Sequence, residues 1–84
     1  MSVDEWGEYV AYGGDEIKVA RSYRIYDDKG DLVSTGIEWE IIPRKPDTDV
    51  KQEIEKARKR LNEKMKKIKD DVAKKYGGKA VPSI

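Results

Sequence analysis

From Asp4 to Ile42, apolar residues fall on alternate positions, and the β-branched and aromatic side chains are interrupted by glycine-containing turns. A period of two predicts an antiparallel three-stranded meander, because successive side chains of a strand point to opposite faces. Pro43 and Pro46 end the pattern, since proline cannot donate to a ladder and biases its predecessor away from helix. Beyond them the period lengthens. Val50, Ile54, Ala57, Leu61, Met65, Ile68, Val72 and Tyr76 lie three or four apart, mostly in an eleven-residue repeat of about 3.67 residues per turn, which predicts one nearly straight amphipathic helix. Asp49 is the expected N-cap with Gln52 in capping-box position, and Thr48 or Asp47 are alternatives. Lys74 and Lys75 suit the negative end of the helix before Gly77-Gly78. The expected fold class is α+β, a single βββα domain: sheet 4–42, proline-containing linker 43–48, helix 49–76 and tail 77–84.

Turn chemistry then proposes a register. In the stretch YDDKGDLV, the loop Asp28-Lys29-Gly30 fits a type I turn with Gly30 as the left-handed bulge residue. Continuing from Asp27 opposite Asp31, Ile25 meets Val33, Tyr23 meets Thr35, Arg21 meets Ile37, Val19 meets Trp39 and Ile17 meets Ile41. The first turn, YGGDEI, offers Gly13-Gly14 or Gly14-Asp15 as a two-residue primed turn. The second choice sets Tyr12 against Ile17, Val10 against Val19, Glu8 against Arg21 and Trp6 against Tyr23. Arg21 interrupts the row from Ile17 to Ile25 that faces the core, and Glu8 across the strand is its expected structural partner.

This register assigns the two faces. The bulky row of Trp6, Val10, Tyr12, Ile17, Val19, Ile25, Val33, Ile37, Trp39 and Ile41 is expected under the helix. The outward row has a centre of small residues, Gly7, Ala11, Ala20, Ser22, Ser34 and Gly36, ringed by Tyr9, Arg24, Tyr26 and Leu32. Such clustering reads as a place where another backbone approaches. A helix over 49–76 spans roughly 42 Å, against roughly 33 Å for ten-residue strands. Its last apolar positions, Ile68, Val72 and Tyr76, are therefore expected to overhang the sheet and to meet a second chain in a homodimer, unless the tail GGKAVPSI folds back over them.

Composition narrows the chemistry. Eighty-four residues support one small core. The chain contains no cysteine and no histidine, which removes disulfides, thiolate nucleophiles, Cys/His metal sites and the usual neutral-pH base. Charged residues are 42% of the chain with a single asparagine and a single glutamine, a hyperthermophile-like composition that a solubility-optimised sequence would share. No apolar run reaches membrane length and no export leader appears, so a cytoplasmic location without membrane contact is expected. Net charge is +1, yet residues 1–43 carry four basic groups against ten acidic (net −6) and the remainder fourteen against seven (net +7). Either a basic helix lies on an acidic sheet, or the basic half meets nucleic acid.

No catalytic constellation is expected. Glu38 and Glu40 share a strand face without a cleft, DDKGD lacks the ligand spacing of a calcium loop, and neither YGG segment is a phosphate loop. The chain is thus expected to be a non-enzymatic binding protein with no cofactor, no metal and no small-molecule substrate. The first expectation is nucleic-acid binding: Arg58, Lys59, Lys66, Lys67 and Lys69 on phosphates, and Tyr9, Arg24 and Tyr26 on bases. The alternative is a protein-interaction or dimerisation module with no nucleic-acid role.

Overall fold

The computed structural model describes residues 1–76, and side chains as far as residue 74. Strands β1 (Ser2–Ala11), β2 (Glu16–Tyr26) and β3 (Leu32–Pro43) form an open antiparallel sheet in the order β1-β2-β3, followed by helix α1 (Val50–Tyr76). This is the βββα meander that the two periods predict. Pro43 closes β3 and Asp49 caps the helix, its Oδ1 accepting from the Gln52 amide at 3.2 Å while its carbonyl accepts from Glu53 N at 3.0 Å. The tail, 77–84, and the Tyr76 side chain lie outside the described residues, and with them the expected strap over the helix end.

The β2–β3 turn forms as its residues dictate. Gly30 has φ of 85°, the left-handed conformation that glycine adopts without a Cβ penalty, and the Asp27 amide donates to the Asp31 carbonyl at 2.9 Å. Asp27 also folds its Oδ1 onto the amides of Lys29 and Asp31, both at 2.9 Å. The first turn differs from expectation. A primed turn needs positive φ, and among the described residues only Gly30 has it, so residues 12–15 form a four-residue loop instead. The Tyr12–Ile17 pair is accordingly absent from the ladder, whereas Val10–Val19 and Glu8–Arg21 are present.

Two bulges overturn the remaining register. In β3 the ladder starts at Tyr26–Leu32 but resumes at Ile25–Ser34, leaving Val33 as the extra residue. In β1 it runs Gly7–Ser22 and then Glu5–Tyr23, leaving Trp6 as the extra residue. A one-residue slip sends every following side chain to the opposite face. Ile37, Trp39 and Ile41 therefore leave the helix side for the outer face, and Ser34, Gly36, Glu38, Glu40 and Ile42 take their place. The steric reason is visible at Gly36. A Cβ there would lie 2.3 Å from Cζ and Oη of Tyr23, so the tyrosine ring of β2 lies over β3 only because glycine stands in the row beneath it.

Helix and sheet then meet through two apolar clusters. Ile17, Val19, Ala57 and Leu61 are fully buried, with Val10, Ile42, Val50 and Ile54 packed around them. Val3, Met65 and Val72 form the second, with Met1, Tyr23, Ile25 and Ile68 at its margin. Burying each large aliphatic side chain stabilises the fold by about 1.5–3 kcal/mol. The overhang expected of the helix end does not extend to Val72, which is 7% exposed against Val3 and Met65. The cause is strand length: β1 begins at Ser2 rather than Asp4, and its bulge puts Val3 on the helix side opposite Ile25.

A belt of charge separates the two clusters. Arg21, on the helix side of β2, lies 3.5 Å from Glu5 and 3.9 Å from Glu8 on β1 and donates to Asn62 Oδ1 on the helix. Arg58 reaches Glu8 at 3.0 Å and Lys69 reaches Glu5 at 2.9 Å. At the other edge Glu40 accepts from Arg60 Nε and from Lys64 Nζ, the latter at 2.5 Å. Three carboxylates of the sheet, Glu5, Glu8 and Glu40, thus answer four basic groups of the helix, Arg58, Arg60, Lys64 and Lys69, which accounts for part of the charge asymmetry between the halves of the chain.

Candidate functional site

The face of the sheet away from the helix is the unusual surface. Along β3 the outward side chains are Thr35, Ile37, Trp39 and Ile41, opposite Arg24, Ser22, Ala20 and Lys18 of β2. Along β1 they include Tyr9 and Ala11, and Trp6 at the bulge joins them, its ring lying 4.4 Å beneath the Arg24 guanidinium. Trp6, Tyr9, Leu32, Val33, Ile37, Trp39 and Ile41 are between 40% and 55% exposed. Isolated exposed apolar residues are ordinary, but a contiguous sheet face of them marks an interaction surface.

The small residues of β2 have a different use from the one expected. Ala20 pairs with Tyr9 on one side and Trp39 on the other, and those rings lean together edge to face with centroids 5.8 Å apart. They close over Ala20, which is 1% exposed although nothing from the helix covers it. The small side chain makes room for its own neighbours rather than for another backbone. Beside the aromatic pair runs a groove of about 650 Å³ lined by Tyr9, Lys18, Ile37, Trp39 and Ile41.

The residues expected to bind nucleic acid are split by the fold. Tyr9, Arg24 and Tyr26 stand on outward positions of the sheet, and the helix lies against the opposite face. Arg58 is engaged by Glu8 and Glu55, whose hydrogen bonds hold its pKa above the usual value, and Lys69 by Glu5. Lys59, Lys66 and Lys67 are exposed. Glu63 and Asp70 interleave with them at helical spacing, so that flank carries mixed charge rather than a continuous basic stripe. Of the expected dimer residues, Ile68 is half-buried and Val72 buried inside the chain. Glu8 and Arg21 do approach one another, though Glu8 lies closer to Arg58.

Sequence reasoning missed Trp6, Ile37, Trp39 and Ile41 as surface residues, and Glu40 as the anchor of Arg60 and Lys64. One signal for the last was present. Arg60 and Lys64 are one turn apart beside the apolar stripe, a spacing that asks for a carboxylate on the strand beneath. Partial burial raises the pKa of Glu40, but hydrogen bonds and charges from Lys64 and Arg60 outweigh it and hold the carboxyl below its ordinary value. Among the described residues there is no cluster of carboxylates that could hold a metal ion, and no helix is long and apolar enough to cross a membrane. Comparison with protein-family models, curated proteins and solved structures found no match.

Proposed function

We propose that the protein is a non-enzymatic protein-interaction module whose contact surface is the outer face of its sheet. The observation that supports this reading is the continuous apolar and aromatic surface of Trp6, Tyr9, Leu32, Ile37, Trp39 and Ile41, which the chain leaves uncovered among its described residues. Interface cores are rich in aromatic residues and poor in charge, and this face has that character. Its four charges, Asp4, Glu16, Lys18 and Arg24, sum to zero, so it offers no net positive charge to a phosphate backbone. Membership of a cytoplasmic assembly is part of the proposal.

A second reading keeps nucleic acid as the ligand, favoured by Arg24 stacked on Trp6 beside Tyr9 and Trp39, groups on which unpaired bases can stack. One pair of measurements separates them. A photo-crosslinking amino acid at Ile37 should give polypeptide adducts in cells, whereas one at Lys59 should not. Labelled single-stranded and duplex oligonucleotides should show no retardation at low salt. Salt-sensitive retardation without polypeptide adducts at Ile37 would replace the first reading with the second.

A further inference from the structure

We infer that the occupant of the outer sheet face is a second copy of this chain, packed sheet to sheet about a two-fold axis; the inference rests on the interaction reading above. Two such sheets lie about 10 Å apart with strands inclined by about 30°, giving a helix-sheet-sheet-helix sandwich.

Three observations choose this occupant. The first is extent. Three strands of about ten residues present a face of roughly 33 by 14 Å, or roughly 460 Å² in flat projection and more once side-chain relief is counted, while a stable pair needs about 800 Å² per partner. Only an occupant that covers the entire face approaches this. A peptide in the groove would cover Tyr9, Ile37, Trp39 and Ile41 and leave Trp6 and Leu32 in water at the other end. A second flat sheet of equal size covers both ends.

The second is need. The large apolar residues buried in the described chain are Val3, Ile17, Val19, Leu61, Met65 and Val72, fewer than the eight that remain exposed. A small domain that leaves this many large apolar groups outside requires a cover whenever it is folded, and the chain itself is the partner present at every moment of its own synthesis. The third is charge. With Asp4 and Glu16 balancing Lys18 and Arg24, two copies of the face approach without net repulsion, whereas the mixed-charge helix flank offers no apolar area to compete.

The tryptophans provide the test. The chain has two, Trp6 and Trp39, and both stand on this face, so their emission reads its burial directly. Sedimentation equilibrium of the full chain across a dilution series, with emission recorded on the same samples, should show twice the chain mass with blue-shifted emission at high concentration. Both should revert together on dilution. Ile37→Glu should raise the dissociation constant on the order of a hundredfold, and Lys59→Glu on the opposite flank should leave it unchanged. If Ile37→Glu does not fold, the wild-type dilution series still decides the matter. Chain mass at every concentration with solvent-exposed emission overturns the inference, and so does a dimer with solvent-exposed emission. The crosslinker at Ile37 distinguishes the failures. Adducts to foreign polypeptides overturn self-pairing alone, and no adducts of any mass overturn the interaction reading with it.

Discussion

The two faces of one sheet are built on opposite rules. The helix-facing side mixes aliphatic side chains with Glu5, Glu8, Arg21 and Glu40, and each of these charges has a partner on the helix or the next strand. The outer side carries the larger aromatics, four charges (Asp4, Glu16, Lys18 and Arg24) that enter none of these ion pairs, and no cover among the described residues. Hydrophobicity alone therefore does not tell which face is inside. What distinguishes the inner face is complementarity: its charges other than Glu38 meet named partners, its glycine lies beneath a named ring, and its aliphatic groups meet the helix stripe.

The contrast can be broken at several points. Leu61→Ala should have the largest effect, a loss of about 2–5 kcal/mol measured by denaturant unfolding, since Leu61 is fully buried between helix and sheet. Gly36→Ala should cost about 1–3 kcal/mol, because the new methyl must displace the Tyr23 ring. Combining it with Tyr23→Ala should give a cost well below the sum of the two single losses, and additive losses would show that glycine is not there to seat the ring. Glu8→Ala should cost about 1 kcal/mol or less, as its partners Arg21 and Arg58 are partly solvated and Arg21 keeps Glu5. An unchanged midpoint would remove Glu8 from the belt.

The smallest effect is on pH dependence. A carboxyl whose folded pKa is depressed contributes stability that is complete above its unfolded value, about 4.5 for Glu40, and is lost as pH falls through the folded value. Glu40→Gln cannot titrate. The stability gap between wild type and Glu40→Gln should be widest at neutral pH and should close below pH 4.5. A gap constant with pH would mean that Arg60 and Lys64 do not stabilise the ionised form.

Much of the architecture could be read from the chain because it rests on local signals. Gly30 needs its left-handed turn, Asp49 needs the Gln52 amide, and the stripe from Val50 to Val72 needs an apolar cover, so strands, loop and helix are where those residues ask for them. The Val10–Val19 and Glu8–Arg21 pairs followed from one turn option even though the turn itself is longer. The faces of β3 were illegible for a specific reason. Val33, Thr35, Ile37, Trp39 and Ile41 alternate so well that they read as the buried row, and alternation carries no mark of an inserted residue. The bulge at Val33 is decided by contacts distant in sequence, Tyr23 over Gly36 and Glu40 under Arg60 and Lys64. The candidate surface was illegible for the same reason, since the slip that supplies Glu40 to the helix is the slip that turns Ile37, Trp39 and Ile41 outward.

The belt of charge across the middle of the interface governs how the helix may move. Oil alone would let a rod glide along a ribbon, because one aliphatic contact replaces another at little cost. Here a glide of one turn, about 5.4 Å, would carry Arg58 and Lys69 past their carboxylates together and set Arg21 against a different residue than Asn62. The ion pairs work as teeth between rack and pinion, and the helix is indexed on the sheet at one longitudinal setting.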